Sequence, residues 1–194
     1  MSAPLSAPRG RPQDEELTGQ ILDAALVELM EHGYANIRIE RIAAAVGCGK
    51  TAIYRRWPDR GTLVAAAMNR ATVIGDIPDT GSVVGDLVTH GLRNAENQGA
   101  LAGNSNPYSA TVSPDVRVHL WRDGFLAARR EMGRAIIARA IGRDELPPDV
   151  DADAILDALA GFVLYRSTLR PSRTTEVDLR GLVIALTTAP PRIS

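Results

Sequence analysis

The sequence predicts an all-α protein, a small N-terminal three-helix unit followed by a larger helical domain, and three observations carry that prediction. Alanine, leucine and arginine dominate a 194-residue chain in which aromatic residues make up only 4%, a balance that favours helices over sheets. Apolar residues recur at i, i+3, i+4 and i+7, as in Ile39, Ile42, Ala43 and Val46, the stripe of an amphipathic helix. Glycine and proline clusters, such as Gly47-Cys48-Gly49, Pro78 to Ser82 and Pro147-Pro148, then cut the chain into helix-length pieces. The expected division is an arm over 1–13, a helix-turn-helix domain over 14–58 and a C-terminal domain over 59–194.

Residues 1–13 are rich in Pro, Ser, Ala and Gly and suit a mobile arm. Within them Pro8-Arg9-Gly10-Arg11-Pro12 matches the core of an AT-hook, which lays arginines into a narrow A·T minor groove. The same five residues also suit a plain solvated tail. A first helix is expected from Asp14 to His32, with Asp14, Glu15 and Glu16 at its positive end and Gly33 as its stop. Ile21, Leu22, Ala25, Leu26 and Leu29 make its buried stripe, and Tyr34 closes the small core.

Ile37 to Leu63 organises the chain. A helix over Glu40 to Val46 is broken by the glycines and followed by a second over Lys50 to Arg56. That second helix turns Ile53 inward, with Trp57, and leaves Lys50, Thr51, Tyr54, Arg55 and Arg56 outward. Two turns of helix bury too little to stand alone, so the polar face is held out for a partner. Between Tyr34 and Arg60 the cations Arg38, Arg41, Lys50, Arg55, Arg56 and Arg60 oppose only Glu40 and Asp59, within a chain of net charge −1. This local excess is a phosphate-binding footprint, and the spacing is that of a helix-turn-helix whose second helix enters the DNA major groove. An ordinary helical hairpin with a solvated basic face is the competing reading. Lys50, at the start of the recognition helix, is the only lysine in the chain.

A fourth helix follows Pro58-Asp59, capped by Asp59 or Thr62, and runs toward Val73. The Pro78-Asp79-Thr80-Gly81-Ser82 break precedes a helix over Val83 to Asn97 with Val84, Leu87, Val88 and Leu92 on one face. Residues 99–112 hold too many glycines and asparagines for a regular helix. Ser113-Pro114 starts a single long helix reaching Ile141, with Val118, Trp121, Phe125, Met132, Ile136 and Ala140 inward. Arg117, Arg122, Arg129, Arg130, Arg134 and Arg139 are expected on its solvated face. Two further helices span Asp151 to Leu169 and Thr175 to Thr187.

Several classes of function are disfavoured. The N-terminus has no apolar signal core, and no run approaches the ~18 apolar residues of a membrane span; a lone Cys48 fits a reducing cytoplasm. His32, His90 and His119 are widely separated, without acids at metal-ligand or triad spacing. No catalytic residue, metal or cofactor is therefore assigned, and no enzyme is expected.

The motifs resemble those of the TetR/AcrR family of bacterial transcriptional repressors. The resemblance rests on Gly33-Tyr34, Ile42-Ala43, Val46-Gly47, Lys50, Ile53-Tyr54, Trp57-Pro58, Arg60 and Leu63 at the family's spacing. It implies that Lys50 and Tyr54 contact phosphates, that Thr51, Ala52 and Arg55 face the bases or their flanking backbone, and that Arg60 replaces a phosphate-binding lysine. Arg38 and Gly49 depart from the family, standing where hydroxyl residues usually cap the two helices. Glycine caps at a cost of only a few tenths of a kcal/mol relative to serine. The Pro78 to Leu87 stretch, Pro114-Asp115 and Asp144-Glu145-Leu146 resemble a TetR-type effector domain more loosely.

One short recognition helix reads too few base pairs, which two-fold symmetry remedies by placing two in successive major grooves ~34–36 Å apart. The expectation is a homodimer on a palindromic double-stranded DNA operator, its seam built from Ile155, Leu159, Phe162, Val163, Leu179, Leu182, Val183 and Leu186. An unidentified small-molecule effector would enter a cavity between the fourth helix and the long helix after Pro114. Met68, Leu101, Tyr108, Trp121, Phe125 and Phe162 are the candidates to line it, each also suited to plain core. The alternative is a DNA-binding regulator without such an effector, controlled by a protein partner or by redox chemistry at Cys48.

Overall fold

The computed structural model describes residues 11–100, 110–111, 113–170 and 172–193. Those residues form nine α-helices and one short 3-10 turn, with a single isolated β-bridge between Val150 and Arg192. They divide into two compact units: the described residues of Met1–Ala71 with Gly103–His119, and those of Thr72–Ala102 with Leu120–Ser194. The expected boundary at residue 59 differs because the fourth helix packs on the first helix and so joins the first unit.

In the first unit α1 (Arg11–His32) packs against α2 (Ile39–Val46) and α4 (Arg60–Ala71), and α2 against α3 (Lys50–Tyr54). Ile21, Ala25 and Leu29 of α1 are buried as predicted, as are Ile42, Ile53, Leu63, Val64 and Met68. Arg11 opens α1 three residues before the expected start, with Pro12 in the first turn, where its missing N–H costs nothing. An extended arm containing Arg11 is therefore corrected, while Arg9 lies outside the described residues. Asp59 caps α4: its Oδ1 accepts from Thr62 N at 2.8 Å, and the Thr62 hydroxyl accepts from Asp59 N at 3.3 Å. A Cβ on Gly61 would lie 2.9 Å from the Asp115 carbonyl oxygen, so only glycine lets α4 approach the start of α6 (Pro114–Arg122) this closely.

A buried acid locks this unit. Glu28 accepts from Arg41 Nε at 2.7 Å and from the Arg38 N–H at 3.1 Å. It thereby satisfies an orphan donor at the N-terminus of α2, where Arg38 supplies no side-chain cap. Burial pushes the Glu28 pKa up, but the Arg41 and Arg38 hydrogen bonds and the Arg41 charge outweigh it and hold the carboxyl below its usual 4.5.

The second unit is arranged on α5 (Val83–Ala100), which packs against α7 (Phe125–Gly142), α8 (Ala152–Thr168) and α9 (Glu176–Thr188). Its core gathers Leu87 and Val88 of α5, Met132, Ile136 and Ile137 of α7, Ile155, Leu159 and Val163 of α8, and Leu179 and Val183 of α9. Asp151 caps α8 through Ala154 N, and Thr175 with Asp178 forms a capping box on α9. The single long helix expected after Ser113 is instead two, α6 and α7, divided at Asp123-Gly124. The Gly124 backbone is extended (φ −100°, ψ −171°), and an Asp-Gly pair is turn chemistry. That break also turns Val118 and Trp121 out of their predicted inward positions, leaving them 51% and 44% exposed. Within residues 99–112, Gly99 and Ala100 extend α5, while 101–109 and 112 lie outside the described residues.

Asp86, fully buried in the first turn of α5, ties the second unit together. Its Oδ1 accepts from Thr80 N at 2.6 Å and Thr80 Oγ1 at 2.8 Å, and its Oδ2 from Arg139 at 3.2 Å and Arg143 at 3.3 Å. Burial again opposes ionisation, and these donors overcome it, keeping the pKa below 3.8. Arg139 is thus a structural ligand of Asp86 rather than part of a solvated face.

Both carboxylates have folded pKa values below their unfolded ones. Their stabilisation is present above the ordinary carboxylate range and is lost as pH falls through the folded values. Glu28→Gln should cost about 1.5–3 kcal/mol, the worth of hydrogen bonds to a charged group, and Asp86→Asn about 3 kcal/mol, because it removes the buried carboxylate from its pairs with Arg139 and Arg143. Each variant should show a shallower loss of stability than wild type between about pH 5 and pH 3. Urea unfolding at several pH values measures both effects.

Candidate nucleic-acid interface

The turn between α2 and α3 depends on one left-handed residue. Gly47 (φ 71°, ψ 28°) closes α2, and the Cys48 N–H returns to the Ala43 carbonyl at 3.0 Å. A side chain at that φ would be strained, so glycine is required here. Gly49, by contrast, is extended at φ −79°, and caps α3 with no side-chain hydrogen bond. Regular helix covers Lys50–Tyr54 only, but Arg55 N–Thr51 O (3.0 Å) and Trp57 N–Ile53 O (2.9 Å) continue the turn beyond it.

Ile53, 1% exposed, anchors α3 and fixes which face looks outward. That face presents Thr51, Tyr54 and Arg55, all exposed, beside Lys50. Ala52 is half-buried at its edge, and Arg38 is exposed at the start of α2. Lys50 Nζ lies 2.9 Å from Glu40 Oε1, but both side chains are more than half exposed. So exposed a pair is weak and is readily exchanged for a phosphate. The Arg60 guanidinium stacks 4.4 Å from the centroid of Tyr34, whose hydroxyl donates to Asp115.

Arg56 does not join the outward set. Its Nε donates to Thr18 Oγ1 at 3.0 Å, its Nη1 to the Ala52 carbonyl at 2.7 Å, and its Nη2 to Asp14. The side chain is only 12% exposed. The sequence-based placement of Arg56 on DNA is corrected: it clamps α3 to α1, because it follows Tyr54 and Arg55 around the turn onto the side facing α1.

Sequence reasoning missed Glu28, the residue that orients α2. A signal was present, since Glu28 falls on the same helical stripe as Ile21, Ala25 and Leu29, where a solvated glutamate has no place.

The remaining candidates separate. Met68 is buried in the first unit, Phe125 is 4% exposed in the second, and Leu101 and Tyr108 lie outside the described residues. Trp121 lines a cavity of about 130 Å³ within the second unit, whereas Phe162 lies under the Arg166 guanidinium, 5.3 Å from its ring centroid. Of the expected dimer seam, Ile155, Leu159, Val163, Leu179 and Val183 are at most 3% exposed and belong to their own unit's core. Phe162, Leu182 and Leu186 pack on that core half-buried. The apolar residues that α8 and α9 expose are instead Leu164, Tyr165, Val177 and Ile184. No described helix is long and apolar enough to cross a membrane.

Comparison with known proteins accords with this geometry. Residues 21–67 match the family described as bacterial regulatory proteins, tetR family, and residues 77–186 match the tetracyclin repressor-like C-terminal domain. An uncharacterized HTH-type transcriptional regulator of Bacillus subtilis, YdeS, is 27% identical over 93% of this chain and 92% of its own length. The DNA-binding transcriptional repressor TetR of Mycobacteroides abscessus is 30% identical over 80% of this chain and 84% of its own. Among solved structures, AibR in complex with isovaleryl coenzyme A and operator DNA shares the fold, with a TM-score of 0.57 and 19% identity over 90% of this chain and 99% of that one. The matched family comprises transcription regulators rather than enzymes. The chain belongs to the TetR family of DNA-binding transcriptional regulators.

Proposed function

We propose that this protein is a homodimeric repressor that binds a palindromic operator and is released from it by a small molecule held in the second unit. The observation that carries the reading is the outward face of α3. Lys50, Thr51, Tyr54 and Arg55 stand free of the core while Ile53 and Arg56 anchor the helix beneath them. Lys50 and Tyr54 supply charge and a hydroxyl for phosphates, and Thr51 and Arg55 reach base edges, Arg55 with the fork geometry that suits guanine. The relative named as a repressor supports the sign of regulation, and the AibR complex with an acyl coenzyme A and operator DNA supports control by a small molecule. Such a regulator works where bacterial DNA is, in the cytoplasm.

The dimer is proposed on the exposed apolar face of α8 and α9, Leu164, Tyr165, Val177 and Ile184, in place of the buried residues read from sequence. Apolar side chains in that number on two neighbouring helices are the face of an interface. A second copy related by two-fold symmetry presents the same face in return, and carries the second recognition helix.

Gel-shift and salt-titration measurements on the operator test the reading. Tyr54→Phe should weaken binding on every sequence alike, and Lys50→Ala should also reduce the salt slope by about 1. Arg55→Ala should cost about 1–3 kcal/mol and relax preference at one base position; an unchanged preference would overturn its base-reading role. Ile184→Glu should halve the sedimenting mass and weaken operator binding with it, and a variant that remains dimeric would contradict the proposed seam.

A further inference from the structure

The buried face of α5 carries a row of polar residues at helical spacing: Asp86, His90, Asn94, Asn97 and Gln98, each at most 8% exposed. Most are accounted for within the second unit. Asp86 has Thr80, Arg139 and Arg143. Asn97 brackets the Val73 backbone, accepting from its N–H at 3.1 Å and donating to its carbonyl at 2.8 Å. Gln98 accepts from Ser167 and donates to Asn94 at 3.5 Å. His90 is the exception, a ring 6% exposed whose Nδ1 has no hydrogen-bond partner. A buried polar atom left in this state points to a missing partner.

His90 borders the cavity of about 130 Å³ lined by α5, α6, α7 and α8. Leu126, Leu156, Leu159 and the Trp121 ring supply apolar wall, and Asn94, Arg129, Arg130 and Asp157 supply polar lining. Arg130 is engaged: its guanidinium lies 5.4 Å from the Trp121 ring centroid and pairs with Asp153 and Asp157. Asp157 is thereby neutralised at the cavity wall. Arg129 adds a second guanidinium, 7% exposed, and its field is felt inside. Burial first, and then the charges of Arg129 and Arg93, push the His90 pKa down to about 4. The interior is thus apolar, positively biased and lined by a neutral imidazole with an open hydrogen-bonding position.

We propose that this cavity binds a small organic carboxylate, its anionic group addressed by Arg129 and His90 and its apolar body of about one ring set against Leu126, Leu156, Leu159 and Trp121. The inference rests on the reading of the second unit as effector-binding and names the class of effector. The size follows from comparison with an engineered apolar cavity of ~150 Å³ that takes benzene. The charge follows from the buried Arg129 guanidinium, whose field with that of Arg93 reaches His90, and the guanidinium fork matches a carboxylate. An entering anion also offers His90 a counter-charge, so binding draws a proton onto the ring. The charged groups around His90 are Arg93 on its own helix, Arg129 and Arg130 on α7, and Asp157 on α8. Among the described residues, α6 brings Trp121 to the cavity and, at Gly91, α9 brings Leu179.

Titration of the full-length protein with benzoate, phenylacetate and hexanoate, each beside its neutral amide, tests the proposal by calorimetry and tryptophan fluorescence. At least one carboxylate should bind saturably, and at least about tenfold more tightly than its amide, the worth of one charge-assisted contact. Restoring His90 to an ordinary pKa of about 6.5 would tighten binding about tenfold from pH 7.5 to pH 5.5. His90→Gln should keep the carboxylate preference and lose that pH dependence. Arg129→Gln should lose the preference and Arg129→Lys regain part of it, circular dichroism confirming the fold; should either variant unfold, the acid–amide comparison on wild type decides alone. Equal affinity for acids and amides, or no saturable binding by any of the three acids at either pH, overturns the proposal. Carboxylate binding that leaves operator affinity unchanged supports the site while overturning effector release, so the two readings fail separately.

Discussion

A recognition helix of five residues cannot hold its own shape. Forming a first helical turn fixes several backbone dihedrals for one hydrogen bond, and so short a segment recovers little of that cost internally. In this protein α3 depends on what lies beneath it: burial of Ile53, the Arg56 tether to Thr18 and Asp14 on α1, and the left-handed turn at Gly47. α2 is in turn set by Glu28, which reaches from α1 to the Arg38 N–H and the Arg41 guanidinium. The outward face of α3 is therefore a projection of α1, and the residues that hold it are different from those proposed to touch DNA.

That division explains why Arg55 and Arg56, adjacent in sequence, have opposite fates. Arg55 is exposed beside Tyr54, whereas Arg56 is drawn under the helix by the acid and hydroxyl of α1. Charge counting treats the two alike. It identifies the basic neighbourhood correctly and cannot assign individual cations, because an arginine stem is long enough to reach either side.

The same distinction marks what else was legible. The cap of α4 was, since Asp59 acts through Thr62 only three residues away. The buried stripe of α1 was legible from its period. Polar residues placed on a buried stripe were legible in position but not in their partners. Glu28 and Asp86 each occupy an inward position with partners on other helices, and no local pattern announces those partners. His90 and Asn94 follow Asp86 at helical spacing, a row visible in the sequence only once that face of α5 is known to be interior. Ile155, Leu159, Val163, Leu179 and Val183, read as seam, belong to the unit's own core for a related reason. Both helices carry apolar residues on two faces, and a count of apolar positions does not say which face the unit's own core takes. The division between α6 and α7 had a local sign in Asp123-Gly124, outweighed in the sequence reading by the apolar residues on both sides.

The two units then have separate chemistries. The first is a scaffold of apolar burial and inward ion pairs that leaves the polar face of α3 exposed. The second is a helical core around α5, with a small positively biased cavity on one side and an uncovered apolar face on α8 and α9. The central claim, that α3 reads DNA as one half of a two-fold pair, is tested most directly by selecting genomic DNA fragments on the full-length protein and sequencing those retained. The account predicts an inverted repeat whose half-sites are one helical turn apart, about 34–36 Å, or a multiple of it. Retention without sequence enrichment, or enrichment of a single unrepeated half-site, would contradict it.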